Sequence, residues 1–274
     1  MRLLIAADME GISGVVSLNH THIDHPEYQR FRRIMTQDVN AAVEGAFEGG
    51  ASEVFVSDGH WNSTNILIEE LDPRVRLNSG SPSPFSMVEG INNSIDAAMF
   101  IGYHARMGTP QAILDHTWSS AQVANLWLND RLSGETGLNA ALCGSFGVPV
   151  LLVSGDQSVC AEAAEWIEGV LTVQVKKAVG RHAAECLPIA EAQAKIKEGA
   201  AQAVRNLLVG AAPVPLDLAA PILVGIEFIY SDMAERAALM PGSVRVDGRK
   251  VEFSAVDMPG AYQGFRAMVT LARR

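Results

Sequence analysis

Short apolar runs alternate with amphipathic stretches from the first residues onward. Residues 2–7, RLLIAA, are apolar almost throughout, the pattern of a strand buried on both faces. After Pro26 the apolar positions Phe31, Ile34, Met35, Val39, Ala42, Val43, Ala46 and Phe47 recur at three and four. That spacing predicts a helix to about residue 48, opened by the proline and ended by Gly49 and Gly50. Residues 52–57 are a second strand. Strand, helix and strand make a right-handed β-α-β unit, which implies a parallel sheet covered by helices.

The alternation continues. A brief helix is expected over residues 65–70, and residues 77–86, rich in Ser, Pro and Gly, read as an extended loop. Residues 97–102 and 148–155 predict a third and a fourth core strand, and 123–128 a strand excursion away from the main sheet. A helix is expected from Glu135 to near Gly147, and another after residue 155 with Ser158 as its cap. Residues 170–180 are strand-like, 184–209 form an Ala-rich helix, and a Pro-rich connector leads to strands around an Asp247-Gly248 hairpin turn and a closing amphipathic segment. The fold class is therefore α/β: a parallel-sheet, three-layer core with a smaller C-terminal α+β lobe. The expected domains are residues 1–190, carrying a metal site, and residues 191–274.

Composition narrows the function. With 31 acidic against 21 basic residues the net charge is -10, so no phosphate-neutralising surface for nucleic acid or an anionic membrane is expected. No run of eighteen uncharged apolar residues predicts a membrane span. Cys143, Cys160 and Cys186 are three, widely spaced, which argues for a reducing, cytoplasmic setting and against a cysteine-zinc cluster. Cys143 reads as a small core hydrophobe.

Chemistry enters at the strand ends. The first strand delivers Asp8 and Glu10, the second Asp58 and His60, the third His104. If the strands are parallel, all of these groups reach one edge of the sheet, where open α/β folds bind ligands. Each alone is ordinarily structural, and Glu135 in the first turn of a helix is favoured there by the amide dipoles. Together Asp8, Glu10, His60, His104 and Glu135 have the inventory of a two-metal hydrolytic site, open to zinc or manganese, with Asp8 as the bridge. His116 beside Asp115 is the imidazole left to move a proton. The run His20, His22 and His25 reads as an exposed or gating loop. Gly11 is where the backbone is expected to bend away and make room for substrate. Trp61 and Trp118 either wall the pocket or pack in the core.

The segments AADMEGISG (6–14), SDGHWN (57–62), GYHA (102–105), DHTWS (115–119) and GETGLNAAL (134–142) resemble the D-aminopeptidase (DppA) family of dinuclear-zinc, self-compartmentalising metallopeptidases. The likeness runs over essentially the whole chain. Ala6 or Ala7 stands where the family often has Ser, a change that removes no ligand. The resemblance implies two Zn2+ ions per subunit on Asp8, Glu10, His60, His104 and Glu135, with His116 as catalytic histidine. It also implies attack by a metal-bridging water, short peptides with an N-terminal D-residue as substrates, and a homodecamer of two pentameric rings. Asp115, Glu10 and Glu227 are the candidates for meeting the substrate ammonium. The competing classes are a metal-dependent amidohydrolase or phosphoesterase on a non-peptide substrate, and a non-catalytic small-peptide-binding protein.

Overall fold

The computed structural model describes residues 1–273. Along the chain the elements are β1 (Arg2–Ala7), α1 (Leu18–Thr21), α2 (Tyr28–Gly49), β2 (Glu53–Asp58), β3 (Arg76–Asn78), β4 (Ala97–Ile101), β5 (Val123–Leu128), β6 (Arg131–Ser133), α3 (Glu135–Ser145), β7 (Val150–Asp156), α4 (Gln157–Trp166), β8 (Leu171–Gly180), β9 (Ala183–Cys186), α5 (Ile189–Leu208), β10 (Ile222–Phe228), α6 (Ser231–Ala237), β11 (Ser243–Arg245), β12 (Lys250–Ala255) and α7 (Met258–Leu271).

Seven strands form the main sheet in the order β3-β2-β1-β4-β7-β8-β9, parallel except for the edge strand β9. From β1 the chain first builds outward through β2 and β3, then returns to place β4 on the other side of β1. This reversal makes the carboxyl ends of β1 and β4 the topological switch point, where such sheets open a crevice. Alternate residues of β1 serve opposite layers, as the strand period requires. Leu3, Ile5 and Ala7 join α2 and α5 through Phe31, Met35, Val39, Ile196 and Val204. Leu4 and Ala6 join the other layer, which contains α3, α4, α7 and a second sheet ordered β11-β12-β10-β5-β6. No helix among the described residues is long and apolar enough to cross a membrane.

The three-layer α/β core follows the sequence pattern, and contacts cross the boundary expected between residues 190 and 191. Helix α5 lies along α2, where a Cβ on Gly45 would come within 2.1 Å of the Lys197 carbonyl oxygen. Strand β5, with β6 paired to its other edge, leaves the main sheet to pair with β10 in the second sheet. The physical cause is coverage: the apolar stripe of α5 needs α2, and the alternating β5 finds its antiparallel partner in β10. Two local expectations also change. Residues 65–70 are a bend and turns rather than a helix, because the amides of Asn65 and Ile66 donate to the Asp58 carboxylate. Asp156, not Ser158, caps α4, accepting from the amides of Ser158 and Val159 at 2.9 and 3.0 Å.

One buried acid in this frame has a measurable consequence. Asp38 on α2 is fully buried, accepting from the Ser13 amide and from Gln193. Burial outweighs these bonds and raises its pKa from 3.8 to about 6. The folded state then holds more protons than the unfolded one between these values, so stability falls as pH rises through that window. Asp38→Asn lacks this term. Between pH 4 and 7 its stability in urea unfolding should improve relative to the native chain by roughly 2.5 kcal/mol. A gap that stays constant with pH would show an unshifted carboxylate.

Candidate metal centre

Asp8 follows β1 directly, and its carboxylate accepts from the Met9 amide at 2.8 Å. Its backbone amide bonds the Ile101 carbonyl, while Gly11 N–H bonds the Gly102 carbonyl at 2.8 Å. A Cβ at Gly11 would sit 1.9 Å from the Tyr103 carbonyl oxygen. Gly11 therefore serves a close approach between the exits of β1 and β4, and does not open space for substrate as the sequence suggested.

The loop from Glu10 to Val15 closes around a cation. Lys176 is buried, and its Nζ donates to the carbonyl oxygens of Glu10, Ile12 and Val15 at 2.6, 2.9 and 2.7 Å. Burial pulls the ammonium down to about 8, while three accepting carbonyls favour its charged form. The side chain points inward because the pairing of β7 with β8 slips by one residue between Gln174 and Lys176, a bulge that reverses the strand alternation. Sequence alternation alone places this lysine outside.

His60 is placed by a second buried network. Asp58 accepts from the Asn65 and Ile66 amides and from the Asn65 side chain, Asn65 Nδ2 also donates to the His60 carbonyl, and Tyr28 donates to Asn65 Oδ1 at 2.7 Å. Asp58, a candidate near the site by sequence, is thus spent on shaping the loop that carries His60. Glu135 stands in the first turn of α3 and accepts from the Trp118 amide at 2.6 Å.

These elements bring Asp8, Glu10, His60, His104 and Glu135 together, all buried. His60 Nδ1 lies 3.3 Å from Asp8 Oδ1 and 3.1 Å from Glu10 Oε2. His104 Nε2 lies 3.4 Å from Asp8 Oδ2 and 3.2 Å from Glu135 Oε1. Each imidazole turns its other nitrogen to a backbone carbonyl: His60 to Thr21 at 3.1 Å, His104 to Ala105 at 3.0 Å, and His116 to Leu114 at 2.9 Å. Donation there directs a lone pair of each ring toward the carboxylates, the arrangement of metal-ligating histidines. His116 stacks on His104 with ring centroids 4.0 Å apart, and its Nε2 is 3.8 Å from Glu135 Oε1.

The electrostatics demand a cation. No hydrogen bond reaches Asp8 Oδ2, Glu10 Oε2 or His104 Nε2, although all three are buried. Burial and then Glu10 raise Asp8 to about 7. Burial opposes charge on His60 and His104, yet the facing carboxylates outweigh it and hold both well above the usual histidine range. Burial opposes the charge of Glu10 as well, but His60 outweighs it and lowers that pKa. Protons or metal ions must therefore sit between these groups. Two donors on one tetrahedral zinc, each about 2.1 Å from it, lie about 3.4 Å apart, close to the separations observed. Atoms of His104, His116 and Glu135, and of Asp8, Glu10 and His104, converge closely enough to hold an ion in each group. The donor set fits two ions, and His104 belongs to both groups.

The cluster opens into a cavity of about 490 Å³ lined also by His22, Trp61, Trp118, Ser119, Arg181 and Arg266. Both tryptophans face it, each in the left-handed backbone region, and Trp61 is 64 % exposed at its mouth. A larger surface depression between α2 and α5, lined by Gln37, Glu44 and Lys197, contains none of the five donors. Of the early histidines only His22 lines the cavity. His20 stacks on Phe31 and its Nδ1 accepts from the Val16 amide, while His25 Nδ1 accepts from the Glu27 amide. Asp115 is taken by Arg181 at 2.9 Å and by the Gly108 amide at 2.7 Å, and Glu227 by Arg249 and Asn125. Of the three ammonium candidates only Glu10 lines the cavity.

Fold and donor set together define a metal-dependent α/β enzyme. A profile of the D-aminopeptidase family matches residues 1–267. The D-aminopeptidase of Bacillus subtilis (strain 168) is 40% identical over 275 residues, covering 100% of this chain and 98% of its own. The solved structure of the Zn-dependent D-aminopeptidase DppA from Bacillus subtilis, a self-compartmentalizing protease, superposes with a TM-score of 0.96 at 39% identity, covering 100% of this chain and 98% of that one. The chain belongs to the D-aminopeptidase family.

Lys176 offers a direct test of how the Glu10 loop is held. Lys176→Met keeps the volume but leaves the carbonyls of Glu10 and Val15 without a donor and takes one of two from Ile12, and should destabilise the metal-free protein by about 3 kcal/mol or more in urea unfolding. A loss below about 1 kcal/mol would mean that water replaces the ammonium.

Proposed function

We propose that this chain is a zinc-dependent aminopeptidase that releases N-terminal D-residues from short peptides. The observation that carries this reading is the set of buried N···O separations of 3.1 to 3.4 Å at atoms that no hydrogen bond satisfies, in a chain of the D-aminopeptidase family. Asp8, Glu10 and His60 would hold one ion and Asp8, His104 and Glu135 the other. Asp8 is suited to both, since its Oδ1 faces His60 and its Oδ2 faces His104. When bound, zinc supplies Lewis-acid polarisation of the scissile carbonyl and a water of lowered pKa.

His116 then carries the proton. Donation from its Nδ1 to the Leu114 carbonyl leaves Nε2 as the acceptor, and burial followed by the neighbouring His104 lowers its pKa, keeping the ring neutral near pH 7. A neutral Nε2 takes a proton from the attacking water and returns it to the leaving amine. The Trp118 amide fixes Glu135 behind it, and the stacked His104 ring limits His116 to one plane.

The same reading includes a homo-oligomer enclosing its active sites, a decamer of two pentameric rings, supported by the self-compartmentalizing relative of the same fold. Cytoplasmic residence is part of it, supported by three cysteines that form no disulfide.

Protein purified without chelator should contain two zinc ions per chain and cleave D-Ala-D-Ala faster than its L counterpart. Hydrolysis of a phosphomonoester with neither peptide cleaved would overturn the aminopeptidase reading. His116→Ala should keep both ions by metal analysis and lower turnover by roughly 10² to 10⁴; loss of an ion would make His116 a ligand instead.

A further inference from the structure

The cavity has a second chemical character opposite to that of the metal cluster. Among the described residues no acidic one lines it apart from the cluster's own Asp8, Glu10 and Glu135, whereas Arg181, Arg266 and Arg273 do. This concentration of guanidinium groups occurs in a protein of net charge -10. Arg181 is already engaged with Asp115. The other two stand on one stripe of α7 and its C-terminal extension, where Arg266, Val269, Thr270 and Arg273 recur at three and four along the cavity wall.

Arg266 is anchored rather than neutralised. One of its nitrogens, Nη1, donates to the carbonyl oxygens of Ser83 and Pro84. A guanidinium has five donors, and among the described residues no carboxylate pairs with Arg266 or Arg273. Two carbonyl bonds fix the plane of Arg266 and leave its charge uncompensated. A fixed, unpaired guanidinium in a concave site selects a planar anion that can accept two parallel hydrogen bonds.

We infer that this wall is a carboxylate subsite: Arg266, supported by Arg273, binds the free C-terminal carboxylate of a short peptide whose N-terminal residue lies at the metal cluster. The inference rests on the aminopeptidase reading and adds to it the far end of the substrate. Both ends of the peptide would then be recognised by charge in a cavity of about 490 Å³, within the range of small-ligand sites. Longer chains and C-terminally blocked peptides would lose the contact. The substrate class becomes di- and tripeptides with a free α-carboxylate.

The test compares D-Ala-D-Ala with its C-terminal amide, which removes the anion and keeps the shape. In the zinc-loaded native protein the KM of the amide should exceed that of the acid by at least about tenfold. Arg266→Gln should bring this ratio close to one. Arg273→Gln, whose guanidinium makes no described hydrogen bond, should lower the ratio with little risk to folding. A native ratio near one, or a ratio unchanged in both variants, overturns the subsite. Should the native protein cleave neither peptide, the aminopeptidase reading fails, and calorimetric titration of chelator-treated protein still decides the subsite. Tighter binding of the acid, lost in Arg266→Gln, supports it; equal binding, or none, overturns it.

Discussion

Three carboxylates and two imidazoles buried within hydrogen-bonding distance of one another are the constraint on which this structure depends. Left without cations, such a cluster costs several kcal/mol per desolvated charge. The surrounding structure accordingly fixes it from outside. Each imidazole is tied by its far nitrogen to a backbone carbonyl, Glu135 by the Trp118 amide, and Asp8 by the Met9 amide. The near atoms are left facing one another, and the fold's own rigidity holds them there. The parallel sheet makes this arrangement available, because reversal of strand order between β1 and β4 brings Asp8 and His104 to the same crevice.

A second buried cation makes the first loop of that crevice rigid. The Lys176 ammonium donates to the carbonyls of Glu10, Ile12 and Val15 at once, and of these Ile12 also accepts from the Val15 amide. Asp38 closes the other side of the loop through the Ser13 amide. The loop thus has a cation on its carbonyls and an anion on one of its amides, complementary charges supplied by β8 and α2. Glu10 reaches the metal cluster from a backbone with little freedom to move.

Much of this was legible in the sequence, for identifiable reasons. Apolar runs ending in Asp8, His60 and His104 place their termini at one edge once the strands are parallel, so pattern and topology suffice. Glu135 entered the same inventory as its third carboxylate, although an acid in a first helical turn also has an ordinary explanation. Lys176 escaped because a one-residue slip in pairing reverses which face a strand residue occupies, and no local signal marks that slip. The role of Asp58 was not legible, because a strand-end acid that organises its own following loop looks the same, in sequence, as one that meets a ligand. The partner of the Ala-rich helix α5 was not legible either, since it is set by which apolar stripe lies nearby, and that stripe belongs to α2.

The arginine-bearing wall of the cavity comes from the far end of the chain, and a buried polar network sets its register. Asn139, one turn after Glu135, donates to the Tyr103 hydroxyl at 3.0 Å and accepts from the Tyr262 hydroxyl at 3.1 Å. Tyr103 precedes His104, and Tyr262 lies one turn before Arg266 on α7. These three side chains are fully buried, so breaking any one of their bonds leaves a polar group without solvent, at a cost of about 1 to 3 kcal/mol. Packing alone would allow α7 to slide over α3 by small increments; directional bonds among buried groups do not. The placement of the arginine-bearing face of α7 relative to the helix that carries Glu135 is therefore a fixed property of the fold.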